Sequence, residues 1–295
     1  MILDDAFLPA GLALLASVMF GISNVAARRG LKYADPQAGA CVSIGVCALW
    51  FLACAPWWWI DAQWFTPGFW VFVLNGLFHP MLSIYLAYEA NERAGATVAA
   101  TFAATAPLFA AVIAVMFLGE TVTLGVGLGT ALTVAGIMRL SWSPGAYRAA
   151  LRSALLFASG AALIRAGNQG LTKFGLELLP NAIFAALVSF SVAFIGTVII
   201  YRCRFGTFPL PMARRGVQNF AVAGTGIAVA IWGMFSALGM GDIVVVSPIV
   251  TSFPIFTLLA AVAVGEERAT WLVVSAVLMV VAGVGLIGVS SVTGF

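Results

Sequence analysis

The chain has 295 residues, of which 62% are hydrophobic and only 8% charged, with a net charge of +3. A soluble domain carries about a quarter charged residues, so this composition, with a mean hydropathy of +1.07, excludes a soluble globular protein and any sizeable soluble domain. The small positive balance concerns where basic residues sit about a membrane, not nucleic acid.

The sequence predicts an all-α integral membrane protein of ten transmembrane helices. A spanning helix needs roughly 20 mainly apolar residues. Apolar stretches occur at 8–27, 37–59, 67–91, 95–118, 122–141, 153–172, 181–201, 217–239, 243–265 and 270–290. Lipid offers no partner to open backbone groups, which makes helices the default, and the alternation of a membrane β-barrel is absent.

The first span follows MILDDAFLPA, which carries Asp4 and Asp5 where a signal peptide would be basic, and is read as a retained helix. Asn24 is its polar residue. Cys41, Cys47 and Cys54 lie along the second span, with Cys203 elsewhere and no C-x-x-C, the pattern of small packing residues. The tryptophan-rich loop PWWWIDAQWFTPGFW follows, as in an interfacial aromatic belt.

The third span contains NGLFHPMLSIYLAYEANERAG, with the only histidine, His79, and Pro80 near its middle. At 100° per residue, Asn75, His79 and Ser83 fall on one face. Pro80 cannot donate its backbone bond and should free the Gly76 carbonyl. A polar stripe at that depth should face protein or water. It serves either a cavity or a neighbouring helix. Thr97, Thr101 and Thr105 form a stripe in the fourth span, ahead of Pro107, and the ninth carries Ser247, Pro248, Thr251 and Pro254. These hydroxyls either line a cavity or bond back to their own helix.

In the sixth span Arg165 is expected about 20 Å deep, toward the far side, with Asn168 and Gln169 on the same surface. Its guanidinium either receives a substrate carboxylate or phosphate or snorkels to the interface. Glu120 and Glu267 end the fourth and ninth spans, where capping or a turn is expected. Gly125-x-x-x-Gly129 and Gly283, Gly285 and Gly288 permit close helix approach, within the chain or in a dimer. A monomer suffices for the former and is the expected unit.

With ten spans, twelve of the fourteen lysines and arginines, from Arg28 to Arg268, fall on one side; Lys173 faces the other and Arg165 is buried. The positive-inside rule makes the first side cytoplasmic and places both termini outside. A shift of 147 residues lays Pro107 on Pro254, Phe109 on Phe256, Glu120 on Glu267 and Gly136 on Gly283, and also Tyr85 on Trp232. Near the start of each half the shift is 144, laying Asn24 on Asn168. Two halves, 1–145 and 146–295, of five spans each must enter from opposite faces, and inverted repeats are a transporter signature. Tyr85 and Trp232 would then either wall a site or pack.

The pieces YLAYEANERAGATVAATFAATAPLFAAVIAVMFLGETVTLGVGLGTALTVAGI (85–137) and WGMFSALGMGDIVVVSPIVTSFPIFTLLAAVAVGEERATWLVVSAVLMVVAGV (232–284) resemble the EamA-type repeat of the drug/metabolite transporter superfamily. The resemblance implies a carrier of amino acids, nucleotide sugars, phosphorylated sugars or cations, working by exchange or export, in the inner membrane of a bacterium. Bacterial relatives are usually drawn with both ends inside, whereas the charges here place both outside.

The expectation is a secondary transporter of small amphipathic solutes, amino acids first, with another metabolite such as a nucleotide-linked sugar or an organic cation as the alternative. The expected substrate-facing residues are His79, Asn75, Ser83, Asn24, Arg165, Asn168, Gln169, Thr101, Tyr85 and Trp232, with helix bends at Pro80, Pro107, Pro248 and Pro254. No catalytic residue, metal or cofactor is assigned: the chain lacks G-x-x-x-x-G-K-[ST] and H-E-x-x-H, and an enzyme would need several converging reactive groups. A channel would need a continuous polar path. The expected partners are the solute and the bilayer.

Overall fold

The computed structural model describes residues 2–54, 64–82, 105–141, 152–207, 213–266 and 270–293. These form helices α1 (Ile2–Gly30), α2 (Pro36–Ala53), α3 (Pro67–Gly76), α4 (Ala106–Leu118), α5 (Leu124–Ser141), α6 (Arg152–Leu178), α7 (Ala182–Phe205), α8 (Arg214–Met240), α9 (Ile243–Thr251), α10 (Phe253–Ala263) and α11 (Trp271–Thr293). A π-helical segment, Leu77–Leu82, continues α3. No strand occurs among the described residues. Among the described residues, five segments are long and apolar enough to cross a membrane: Phe7–Gly30, Ala182–Phe205, Arg214–Met240, Ile243–Ala263 and Val274–Ser291.

Local chemistry sets the helix ends. Asp35 accepts hydrogen bonds from the backbone N–H groups of Gln37 and Ala38, and Pro36 takes the first turn of α2, where its missing donor costs nothing. Thr66 and Asn181 cap α3 and α7 in the same way. Gly119 and Gly206 end α4 and α7 at φ 69° and 71°, and Gly265 follows α10 at φ 74°. Glycine adopts that left-handed conformation without steric conflict.

Two expected continuous spans are broken. The third leaves α-geometry at His79 (φ −140°, ψ 127°), and the His79–Pro80 peptide is cis. The ninth stops at Thr251 and restarts at Phe253, with Pro254 in the first turn of α10. Pro107 likewise stands in the first turn of α4, and Pro248 lies inside α9.

Apolar and small residues carry the packing. Phe72, Phe184, Phe235, Ile231 and Ile249 are almost wholly buried in one core. α1 lies along α8, which also meets α2; α6 meets α3 and α4. α5 and α11 pair through Gly129 and Gly283, where a Cβ on Gly129 would stand 2.7 Å from the Gly283 carbonyl oxygen. Close approach of this kind replaces the hydrophobic drive that lipid abolishes.

One ionic cluster, buried at Glu120 and exposed at Asp242, joins distant parts of the chain. Asp242 occupies the N-cap position of α9 without making the side-chain cap. Glu120, far earlier in sequence, substitutes: its two carboxylate oxygens accept from the N–H groups of Ile243 (2.9 Å) and Val244 (3.0 Å). A carboxylate there meets both the orphan donors and the positive end of the helix dipole. Lys173 Nζ lies 3.0 Å from Glu120 Oε1 and donates to the Gly241 carbonyl (2.9 Å) and Asp242 (3.3 Å). At the opposite end of the helices Arg29 pairs with Glu266 at 2.6 Å, partly exposed. That guanidinium holds the Glu266 carboxyl below its ordinary range, so whatever stability the pair adds is present at neutral pH and lost as pH falls through the lowered value.

Two substitutions test this framework by thermal unfolding in detergent. Glu120→Ala, which strips α9 of its cap and Lys173 of its partner, is expected to destabilise by about 3–5 kcal/mol, and Glu120→Gln by less because an acceptor remains. Gly283→Val is expected to lower the unfolding midpoint strongly, since its Cβ would strike Thr133 and the Gly129 carbonyl; Gly285→Val, whose Cβ meets nothing within 4 Å, should change it little.

Candidate functional site

The breaks at His79 and Ser252 adjoin a cavity of about 380 Å³, within the size range of small-molecule sites. Phe20, Asn24 and Ala27 line it from α1 and Leu31 from the turn that follows, a spacing that keeps them on one side. These positions run about 16 Å along the helix at 1.5 Å per residue, toward the end that carries Arg28 and Arg29. α2 contributes Ser43 and Ile44, α8 Phe220, Ile231 and Met234, and α7 Phe190.

The polar wall comes from α6 and the π-helical segment. His79, Pro80, Arg165, Asn168 and Gln169 all face the cavity. Because α6 extends to Leu178, Arg165 sits at its midpoint and not toward the far end, as its expected span had suggested. Its guanidinium carbon lies 5.8 Å from the centre of the Phe253 ring, a favourable cation–π arrangement that leaves the charge unneutralised. No acidic side chain among the described residues pairs with it. Asn168 and Gln169 are 95% and 97% buried, and the amide oxygen of each lacks a hydrogen-bond partner.

An uncompensated guanidinium beside two amides is suited to a carboxylate or phosphate, which arginine grips with paired hydrogen bonds. The remaining wall, with Phe20, Phe190, Phe253, Ile231 and Met234, is suited to an apolar group. The site thus has one anion-seeking pole and one greasy pole.

Seven of the ten expected substrate-facing residues lie among the described residues. His79, Asn24, Arg165, Asn168 and Gln169 would be five of them, and the cavity brings these five together. Asn24 also donates to Thr257 Oγ1 at 3.3 Å. Asn75 is placed elsewhere: it is buried and donates to Thr172 Oγ1 at 2.7 Å. The shared face of Asn75 and His79 assumed an unbroken α-helix, and the π turn with extended His79 removes that periodicity. Trp232, also described, is 39% exposed and outside the cavity lining. Ser83, Tyr85, Thr97, Thr101 and Glu267 lie outside the described residues.

The sequence reading missed the aromatic wall. Phe20 could have been found, since it precedes Asn24 by one helical turn. Phe190, Phe220 and Met234 carry no such signal in chains this apolar. Thr251 was noted within its stripe, while Phe253 depends on the break at Ser252.

Comparison with known proteins adds family and fold. Residues 8–142 match the EamA-like transporter family. No curated protein matches the sequence. One solved crystal structure superposes with a TM-score of 0.77 over 94% of this chain and 96% of the other, at 15% identity; this likeness concerns the fold alone. Family and apolar helices together make the chain an integral membrane protein.

Cysteine labelling tests the cavity. In a variant lacking the native cysteines, Ala27→Cys is expected to react with a water-soluble maleimide, whereas Ala16→Cys, fully buried, should resist. Equal protection of both would remove the aqueous path.

Proposed function

We propose that this chain, whose residues 8–142 match the EamA-like transporter family, is a secondary carrier that moves small amphipathic solutes, foremost amino acids, by alternating access. The observation that carries this reading is Arg165, without an acidic partner among the described residues, beside Asn168 and Gln169 and opposite an aromatic and aliphatic wall in a cavity between the helices. An amino acid supplies the carboxylate for the first and the side chain for the second. An organic cation would meet repulsion from Arg165.

Two halves, 1–145 and 146–295, inserted in opposite senses account for several features together. α1 packs on α8 as α6 packs on α3; α8 meets α2 as α3 meets α7. In the pairing of α5 with α11, Gly129 meets Gly283 and Gly136 meets Ala276; a shift of 147 residues turns each of these contacts into the other. The pairs Arg29–Glu266 and Lys173–Glu120 are related in the same sense, at opposite ends of the bundle. The left-handed glycines Gly119 and Gly265 support aligning Glu120 with Glu266 and not with Glu267. Such an arrangement is suited to rocking of one half against the other about a central site.

By the positive-inside rule the end bearing Arg28, Arg29, Arg214 and Arg215 is cytoplasmic, and both termini are outside. The cavity lining reaches Leu31 and Phe220 near that end, which favours loading from the cytoplasm and export. The bacterial inner membrane is the proposed location.

Counterflow in proteoliposomes tests the assignment. Vesicles preloaded with unlabelled amino acids should accumulate labelled ones, and His79→Ala should reduce this at least tenfold while leaving detergent elution and unfolding unchanged. No accumulation for any amino acid, by protein of verified fold and insertion, would refute the amino-acid reading.

A further inference from the structure

The head group of an amino acid carries two charges, and the cavity answers one of them. Arg165 faces the cavity from the middle of α6 and contacts the face of Phe253 at 5.8 Å. No acidic side chain among the described residues pairs with it, and no acidic residue is among those described in the lining. The chain's eleven acidic residues fall outside the apolar spans read from the sequence, save Glu89, which stands at the end of the third. Asp35, Glu120, Asp242 and Glu266 are moreover committed elsewhere: to the start of α2, the start of α9, Lys173 and Arg29.

The neutral acceptors beside Arg165 do not replace an acid. The amide oxygens of Asn168 and Gln169 are enclosed, shut off from the open space of the cavity. An ammonium entering with the solute would leave its water and find no anion. It would also stand one carbon away from the carboxylate that Arg165 holds. Burying a charge without a partner is costly, and like charges repel strongly where water is scarce. The opposite wall, with Phe20, Phe190, Ile231 and Met234, has no use for an amino group.

We infer that the carrier also takes apolar monocarboxylates that have no amino group, of the aryl- and alkyl-carboxylate class, and binds them more tightly than the amino acid of the same side chain. This inference rests on the carrier function proposed above and widens its substrate class. Arg165 grips the carboxylate through paired hydrogen bonds, and the apolar part lies against the aromatic and aliphatic wall. Deleting the ammonium removes a group that the site leaves unpaired, a change worth about tenfold in affinity.

The test is equilibrium binding, by calorimetry, to the intact purified protein in detergent. The probes share one phenyl group: 3-phenylpropionate, L-phenylalanine and 2-phenylethylamine. 3-Phenylpropionate is expected to bind about tenfold more tightly than L-phenylalanine, and 2-phenylethylamine not measurably. In liposomes at alkaline pH, where the acid is ionised, labelled 3-phenylpropionate should enter faster than it enters protein-free vesicles. Arg165→Met should lose binding of both carboxylates. Asn168→Asp supplies an acid one helical turn from Arg165 and should abolish the preference for 3-phenylpropionate.

Equal affinity for 3-phenylpropionate and L-phenylalanine, or a preference for the amino acid, overturns this inference and leaves the amino-acid carrier standing. 2-Phenylethylamine bound as tightly as 3-phenylpropionate overturns the role of the carboxylate, as does undiminished binding of the acid by Arg165→Met. Binding of 3-phenylpropionate without protein-dependent entry makes it an inhibitor and overturns its place among the substrates. No binding of any probe overturns the inference as well, and amino-acid counterflow then decides separately whether the carrier reading stands. Should either variant fail to fold, the comparison of the probes on the wild-type protein still decides.

Discussion

Backbone donors at the broken ends of membrane helices require partners, because lipid supplies none, and the carboxylate of Glu120 meets this requirement for α9 from the other half of the chain. Asp242 stands in the local capping position but turns toward Lys173. Glu120 therefore answers three demands with one group: two N–H donors, the helix dipole and the Lys173 ammonium. Its position follows from Gly119, whose left-handed turn ends α4 and carries the chain to Glu120. The turn after α4, the far end of α6 and the start of α9 are thereby held together. Since α9 leads into the break beside Phe253, the placement of that ring under Arg165 depends on the same bond network.

The cavity reverses this pattern. The Glu120 carboxylate and the Lys173 ammonium have partners, whereas the amide oxygens of Asn168 and Gln169 beside Arg165 do not. Unsatisfied buried polar groups are costly, and each calls for a partner such as a bound ligand or an ordered water. The contrast between a satisfied end of the bundle and an unsatisfied centre is what directs attention to α6 and the His79 break. The partly exposed Arg29–Glu266 pair occupies the other end of the bundle. Water competes more strongly there than at the buried Lys173–Glu120 pair, so the two ends differ in how firmly their ion pairs hold.

Much of the fold was legible in the chain itself. Span after span of apolar residues located α1, α7, α8 and α11 to within a few positions, because a bilayer demands length and apolarity more than any particular side chain. Asn24, Arg165, Asn168, Gln169 and His79 stood out because polar groups inside such spans are rare. Asn75 stood out by the same rule yet bonds to Thr172: rarity marks a polar residue as engaged without saying whether its partner is a solute or another helix. The expected depth of Arg165 erred because the end of an apolar run is not the end of a helix, and α6 continues through Lys173 to Leu178.

The sequence by itself determined the membrane class, several of the spans and the few polar residues that stand out within them. Those follow from composition and from transfer energetics, which act residue by residue. Tertiary structure alone decided which polar groups share the cavity, that Phe253 rather than an acid faces Arg165, and that Glu120 caps a helix 123 residues away. These depend on where helices break and which faces then meet. His79 leaves helical geometry within Leu77–Leu82, and a restart at Phe253 sets a new helical phase, so periodicity counted along the chain cannot carry across either break.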